Sequence, residues 1–150
     1  MRAVDTNVLV RLTARDDSRQ VAAAEAFVAE GAWVSHIVLA EFVSVLTSVY
    51  GLVASQVATA VGMLIAHQTL TLQDAEVVKR ALEHYRRRPS LSFSDCLVLE
   101  AARKAGHLPL GTFDKDLGRL PGAQRLVRWA PSPYRRRSGA RDAPSGPFGR

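Results

Sequence analysis

Short β-prone segments alternate with helical segments along most of this 150-residue chain, and this alternation restricts its fold more than any other feature. The pattern predicts strands at residues 2–5, 32–35, 70–73, 108–112 and 123–129. It predicts helices or helical turns at residues 6–12, 18–30, 36–50, 55–67, 74–87, 94–105 and 115–120. Strands separated by helices are typical of a parallel sheet that helices cover on both faces. We therefore expect an α/β fold.

The composition limits the chain to one ordinary domain in a reducing compartment. A length of 150 residues with 47% hydrophobic content is enough for one domain with a hydrophobic core. It is too short for two domains of ordinary size. Cys96 is the single cysteine, so neither a disulfide nor a cysteine-based zinc site can form within the chain. Asp5 interrupts the first apolar run, which argues against a secretory signal, and no apolar run is long enough for a membrane span. We expect a soluble, cytoplasmic protein.

The net charge of +6 is concentrated at the C-terminus. Residues 133–150 carry five arginines against Asp142, which leaves residues 1–132 with a net charge of only +2. We expect one folded domain over residues 1–132 and a disordered basic tail over residues 133–150. The tail could contact nucleic acid or a partner, fold back onto the domain, or be an inert end.

Glu41 stands in the helical segment "HIVLAEFVSVL", whose apolar side chains cover almost the whole circumference. Such a helix is expected to be buried. An ionised Glu there must pair with a cation, coordinate a metal, or lie at the mouth of a cleft, because an unpaired buried charge is costly. A salt bridge to an arginine is the simplest structural explanation.

Asp95 belongs to a helix whose inward stripe we predict from its spacing: Asp95, Val98, Leu99 and Ala102. The outward side is predicted to carry Glu100, Arg103 and Lys104. An acidic residue in a first helical turn also has an ordinary explanation in the helix dipole, and Asp5 and Asp114 are ordinary N-cap candidates. Cys96 is expected to be a small core residue.

The four carboxylates together point to a hard metal ion. Asp5 and Asp114 follow predicted strands, at the edge of a parallel sheet where ligands bind, while Glu41 and Asp95 lie near the starts of helices. Converging carboxylates repel one another unless a cation neutralises them. Oxygen ligands without a paired His or Cys favour Mg²⁺ or Mn²⁺ over zinc.

Four segments, "VDTNVLVRL", "LAEFVSVL", "SFSDCLVLEAARKAG" and "LGTFDKDL", occur in this order and resemble the PIN-domain ribonucleases. The resemblance is strongest to the VapC-type toxins of bacterial toxin–antitoxin pairs and covers about residues 1–130. It implies a three-layer α/β/α sandwich around a short parallel sheet. It also implies a Mg²⁺- or Mn²⁺-dependent endoribonuclease that hydrolyses RNA to 5′-phosphate and 3′-hydroxyl products.

By the same resemblance, the catalytic acids are Asp5, Glu41, Asp95 and Asp114, and the metal ligands among them are Asp5, Asp95 and Asp114. Supporting polar roles fall to Asn7, Thr112 and Asp116, of which Asp116 has an equally good explanation as a surface residue. Arginines should guide the RNA backbone to an acidic site, and the candidates are Arg11, Arg15 and Arg86.

Two kinds of protein partner are expected beside the RNA substrate. The helices between His36 and His67 carry surplus apolar surface around Val49, Tyr50, Leu52 and Val53, which favours a two-fold homodimer. The resemblance implies a cognate antitoxin, for which we expect an apolar helix and a basic residue aimed at Asp5 and Asp95.

Three alternatives remain open at this stage. A housekeeping RNA-processing PIN nuclease would use the same site. A phosphatase of the haloacid dehalogenase type would use a strand-terminal Asp as nucleophile, but Asn7 stands where its second Asp belongs and Glu41 would have no role. A non-catalytic RNA-binding domain is disfavoured by the complete acidic set.

Overall fold

The structure is a computed structural model, and it describes residues 1–127. The predicted strand at residues 123–129 is therefore described only in part, and the predicted tail at residues 133–150 lies outside the described residues. The helices are α1 (Thr6–Ala14), α2 (Ser18–Val28), α3 (His36–Ser48), α4 (Ala54–Ala66), α5 (Ala75–Arg87) and α6 (Phe93–Ala105). The strands are β1 (Arg2–Ala3), β2 (Ala32–Val34), β3 (Leu70–Leu72), β4 (Leu110–Thr112) and β5 (Ala123–Arg125).

All described strand pairs are parallel, which confirms the α/β class. β2 is the central strand of a three-stranded sheet, with Ala32 opposite Arg2 of β1 and Leu70 of β3. β4 and β5 form a separate two-stranded sheet in which Thr112 is opposite Arg125. The predicted single sheet is thus divided into two. Since β1 has only two residues, its other edge offers little for β4 to pair with.

The buried core lies between the helices and one face of the central sheet. Ala32 and Val34 of β2 and Leu70 and Leu72 of β3 are buried, while the intervening Trp33 and Thr71 keep exposed surface. The largest fully buried side chains come from several helices: Leu9, Leu39, Phe42, Leu46, Val57, Val61, Val78, Phe93 and Leu99. Within residues 1–127, no helix is long and apolar enough to cross a bilayer.

Cys96 is a core residue, as its position in the sequence indicates. Its side chain is fully buried in α6, and burial raises the pKa of the thiol to about 11. The thiol is therefore protonated at neutral pH and is no nucleophile.

Local capping chemistry sets most helix boundaries. The side chains of Asp5, Asp17, Ser35 and Ser92 accept hydrogen bonds from backbone N–H groups in the first turns of α1, α2, α3 and α6. The cap of α2 is thus Asp17, the residue before the predicted start of this helix at residue 18. α1 continues beyond its predicted end at Leu12 and stops where Arg15 adopts the left-handed conformation, with φ of 52°.

Glu100 contradicts the predicted outward side of α6, because only 3% of it is exposed. Its Oε1 lies 2.7 Å from Nε2 of His84 on α5, and its Oε2 lies 3.2 Å from Nε of Arg103. Val98, predicted to face inward, is 51% exposed instead. The reason is that α6 packs closely on α5, which buries the stripe carrying Cys96, Leu99 and Glu100. Spacing alone does not reveal which stripe a neighbouring helix covers.

Arg103 also joins α6 to the second sheet. Its Nη2 donates a hydrogen bond of 2.5 Å to the carbonyl of Pro121, directly before β5. At the next residue, Gly122, an added Cβ would lie 3.0 Å from the same nitrogen, so a larger residue would displace the guanidinium. Glu100 and Arg103 therefore link the helix that carries Asp95 to the strand pair that carries Asp114.

We expect Glu100→Ala to lower the free energy of unfolding by about 3 kcal/mol, because it leaves the partly buried Arg103 guanidinium and the His84 imidazole without the carboxylate that they contact. Urea denaturation followed by circular dichroism measures this change. Glu83→Ala on the exposed side of α5 is the matched control and should change stability by less than about 0.5 kcal/mol. Equal effects of the two substitutions would contradict a stabilising role for the Glu100 cluster.

Candidate active site

Asp5 and Thr6 lie where β1 passes into α1, at the carboxyl end of the strand. Asp5 is exposed and caps α1, with its Oδ1 accepting a hydrogen bond of 3.4 Å from the N–H of Val8. The hydroxyl of Thr6 donates a hydrogen bond of 2.6 Å to Oε2 of Glu41 on α3. The structure therefore brings Glu41 beside the residue that follows Asp5.

Glu41 is exposed, so the expectation of an acid within a fully buried helix is wrong. The neighbouring Ile37, one turn earlier on α3, is 76% exposed. An apolar pattern predicts burial on average and does not identify the sides of α3 that no other element covers. Within residues 1–127, the ion pairs of the structure include none to Glu41, which disfavours the salt-bridge explanation.

Asp95 and Asp114 each lie at a turn that the local sequence fixes. Asp95 is half-buried in the first turn of α6, where its N–H donates to the hydroxyl of Ser92. Asp114 follows β4, and its N–H donates a hydrogen bond of 3.0 Å to Oγ1 of Thr112. Its own Oδ1 accepts a hydrogen bond of 2.7 Å from the N–H of Leu117, which begins a short 3₁₀ turn. Thr112 thus supports Asp114 directly.

Thr6 follows Asp5 in the chain and donates a hydrogen bond to Glu41, so it connects these two of the four acids. Asp95 and Asp114 lie on other elements. Among residues 1–127, no three His, Cys, Asp or Glu side chains form a group that could hold a metal ion. The donor chemistry itself fits a hard cation, because all four candidates are carboxylates. The described hydrogen bonds of Asp5, Glu41 and Asp114 each engage one carboxylate oxygen and leave the second for another ligand.

The remaining supporting candidates lie at the surface. Asn7 is exposed in the first turn of α1 and lines a shallow cleft together with Arg11 and Phe27. Asp116 lies 3.8 Å from Arg119, which matches its alternative explanation as a surface residue.

Two of the three candidate RNA-binding arginines make ion pairs within the domain. Nη1 of Arg11 lies 2.7 Å from Oδ1 of Asp16, and Nη1 of Arg15 lies 2.7 Å from Oε1 of Glu25. Arg86 is exposed at the end of α5, with its guanidinium close to Gly62 of α4. Binding of RNA by these arginines stays a prediction.

Tyr50 completes the cluster around Arg11. Its hydroxyl donates a hydrogen bond of 2.8 Å to Oδ2 of Asp16. This bond, followed by the bond from Arg11, holds the pKa of the Asp16 carboxyl below its ordinary value. The cluster ties the end of α1 to the end of α3. Asp5 caps the start of α1, and Glu41 lies in the second turn of α3.

A second cleft, of about 650 Å³, lies away from the carboxylates. Apolar side chains of α1, α2 and α4 and of the α3–α4 connection line it, including Leu12, Val28, Leu52 and Met63. Sequence reasoning missed this cleft because its walls come from elements that are distant along the chain. The single local signal is Met63, an exposed apolar residue on an otherwise apolar helix.

Fold and site together define a class: an α/β protein with parallel strands and exposed carboxylates at the strand ends and helix starts. A family model described as the PIN domain matches residues 2–123, and the chain belongs to this family. The resemblance inferred from the four sequence segments is thereby confirmed at the level of the family. Membership in this family leaves the dehalogenase alternative without support.

The chain is also similar to a solved structure, the crystal structure of Mycobacterium tuberculosis VapC20, a toxin described as cleaving the sarcin–ricin loop. The two are 20% identical over 79% of this chain and 93% of that chain, with a TM-score of 0.38. This likeness is too distant to assign an activity. A search of curated proteins returns no significant match.

We expect Tyr50→Phe to raise the pKa of Asp16 towards its ordinary value, because the substitution removes the strongest hydrogen bond to that carboxylate. An acid whose pKa is lowered by folding stabilises the native state above its unfolded pKa, and this contribution disappears as the pH falls through the folded pKa. The variant should therefore lose part of the stability that the Asp16 interactions provide at neutral pH.

Titration of the Asp16 side-chain carboxyl by NMR measures the shift. Asp74 is the internal control, because the hydrogen bond from Lys104 that lowers its pKa does not involve Tyr50. An unchanged Asp16 titration in Tyr50→Phe would contradict the proposed cause.

Proposed function

We propose that this chain is a Mg²⁺- or Mn²⁺-dependent endoribonuclease of the VapC type, the toxin of a toxin–antitoxin pair. The observation that carries the proposal is the PIN-domain match over residues 2–123, a range that includes all four acids. The hydrogen bond between Thr6 and Glu41 supports it, because it places one acid beside the end of β1, where Asp5 also lies. The substrate is RNA, and the reaction is hydrolysis of a phosphodiester bond.

In this proposal Asp5, Asp95 and Asp114 would hold the metal. Their side chains form no metal-holding group within residues 1–127 as described, so metal binding would have to draw them together. A bound divalent ion supplies Lewis-acid activation of water and neutralises charge on the attacked phosphate. The residues around these acids fix their positions: the N–H of Val8 orients Asp5, and the N–H of Leu117 orients Asp114. Asn7 and Thr112 add polar support, and Asp116 stays in its surface pair with Arg119.

Glu41 acts as a general base in this scheme. Thr6 holds Oε2, so Oε1 is the oxygen available to accept a proton from the attacking water. Because water is the nucleophile, the 2′-hydroxyl of RNA is not consumed and no 2′,3′-cyclic phosphate forms. We propose that the P–O3′ bond breaks and the 3′-oxygen leaves as the 3′-hydroxyl, which gives the 5′-phosphate and 3′-hydroxyl ends that the family resemblance implies. Arg86 is exposed and, unlike Arg11 and Arg15, takes part in none of the ion pairs found among residues 1–127, so it would contact the RNA backbone.

We expect Asp5→Asn and Asp95→Asn each to reduce RNA cleavage by at least roughly a hundredfold, because each removes a charged ligand from the proposed metal site. Mn²⁺ binding, measured by calorimetry, should weaken in parallel. The melting temperature should not fall through loss of the charge itself, since removing one carboxylate relieves repulsion among the acids.

Glu76→Gln is the matched control, because it removes an exposed acid on α5 that pairs with Lys79. It should leave cleavage and Mn²⁺ binding unchanged. Full activity in Asp5→Asn would overturn the proposed site.

The apolar cleft between α1, α2 and α4 is where we propose that the antitoxin binds. Its volume of about 650 Å³ and its apolar lining suit one face of an amphipathic helix. We propose that a separate part of the same antitoxin supplies an arginine that binds the carboxylates of Asp5 and Asp95. A small reading frame directly upstream of the gene would support this toxin assignment over a housekeeping RNA-processing nuclease.

The α3–α4 connection is where we propose that two copies of the chain meet. Val49 and Val53 are exposed there, which leaves apolar surface for a partner. The other two residues expected at this surface are partly buried: Tyr50 bonds to Asp16, and Leu52 lines the apolar cleft.

We expect a dimer mass by light scattering at micromolar concentration, and a monomer mass for the double variant Val49→Asp, Val53→Asp, because charges placed in an apolar interface are not compensated. Ala22→Asp on the exposed side of α2 is the control and should remain dimeric. A monomeric mass for the unsubstituted chain would contradict the proposed dimer.

A further inference from the structure

Phe113 exposes an aromatic ring directly beside one of the candidate acids. It lies between Thr112 and Asp114 and is 73% exposed. The next most exposed aromatic side chain among residues 1–127 is Trp33, at 37%, and the others are partly or fully buried. Phe113, in the turn after β4, is therefore the most exposed aromatic side chain among residues 1–127.

The backbone on both sides of Phe113 is held in place. Before it, the carbonyl of Thr112 accepts a hydrogen bond of 2.6 Å from the N–H of Leu126, next to β5. After it, Asp114 makes hydrogen bonds with Thr112 and Leu117, and Leu117 is buried. A ring on such a fixed backbone can stack on a ligand at little cost in backbone entropy.

A single exposed apolar side chain is ordinary, but Phe113 is one of three beside the candidate acids. Ile37, 76% exposed, precedes Glu41 by one turn of α3. Val98, 51% exposed, follows Asp95 by about one turn of α6. Exposed apolar side chains beside the acids would add no binding energy for a phosphate alone. They can contact the faces of nucleobases and riboses, because those faces are apolar.

Cationic side chains accompany the ring. Lys115 is exposed two residues after Phe113, and Arg125 is exposed on β5 opposite Thr112. Aromatic side chains among lysines and arginines are typical of surfaces that bind single-stranded nucleic acid, where the rings stack on bases and the cations contact phosphates.

We propose that Phe113 is a stacking site for an unpaired nucleobase of the RNA, next to the phosphate that is cleaved. This inference rests on the proposed RNA cleavage and specifies it further. A base within a duplex already has both faces stacked, so the site selects nucleotides in loops or single strands.

Three substitutions separate stacking from other roles of the ring. Phe113→Trp keeps an aromatic face, Phe113→Leu keeps an apolar side chain without one, and Trp33→Leu is the matched control on β2. Binding is measured by fluorescence anisotropy with a fluorescein-labelled, unstructured RNA 12-mer, in Ca²⁺ so that affinity is recorded apart from cleavage.

We expect Phe113→Leu to weaken binding by roughly tenfold or more, whereas Phe113→Trp and Trp33→Leu bind like the unsubstituted chain. The dependence of affinity on salt should be unchanged in Phe113→Leu, because no phosphate contact is lost. Lys115→Gln, in contrast, should weaken binding and reduce the slope of log affinity against log salt by about one.

Three results would overturn the proposal: equal affinity of Phe113→Leu and the unsubstituted chain, a loss in Phe113→Trp as large as that in Phe113→Leu, or a changed mass of Phe113→Leu by light scattering. The last would assign the ring to a contact between copies of the chain. Cleavage by the unsubstituted chain in Mg²⁺ tests the proposed function separately. Stacking without any cleavage would refute the nuclease and retain the RNA site.

Discussion

Parallel pairing between very short strands is the constraint on which the rest of this structure depends. β2 and β3 have three residues each, and β1 has two, so the ladders contribute few hydrogen bonds. Parallel neighbours also require a long return connection, and here each return between the first four strands is a pair of helices. Helices therefore contribute most of the buried side chains, and α1, α3 and α5 each begin shortly after a strand ends. Asp5 and Asp95 lie at the starts of α1 and α6.

The carboxylates of this protein fall into two groups that differ in burial and in the charge of their hydrogen-bond donors. Glu100 is buried and is matched by His84 and Arg103, so its charge is compensated within the fold. Asp5, Glu41 and Asp114 are exposed, and each bonds a neutral donor: two backbone N–H groups and the hydroxyl of Thr6. A neutral donor orients a carboxylate without cancelling its charge. This difference is the physical reason to assign the exposed acids to a cationic ligand and Glu100 to stability.

Helix α6 connects the buried Glu100 to the region of the exposed acids. Asp95 stands in its first turn, and Glu100 and Arg103 stand one to two turns later. Arg103 donates a hydrogen bond to the carbonyl of Pro121, near the strand pair that Asp114 follows. β4 and β5 form no ladder with the central sheet, so contacts of this kind position the second sheet against α6. A buried ion pair can in this way influence the geometry of a surface site that it does not touch.

The sequence by itself determined the order of the elements and the α/β class, because apolar periodicity and capping residues act over a few neighbouring positions. The resemblance of four segments to the PIN-domain ribonucleases identified the family, which the family match over residues 2–123 confirms. The predicted start of α3 at residue 36 and the predicted end of α6 at residue 105 agree with the structure, in which Ser35 and Gly106 are the caps. Only the tertiary structure decided which sides are covered: it exposed Ile37 and Glu41, buried Glu100 beneath α5, and turned Phe113 to solvent. Burial depends on the neighbour that an element packs against. That neighbour is distant along the chain, so the local sequence pattern does not indicate which side of an element will be buried.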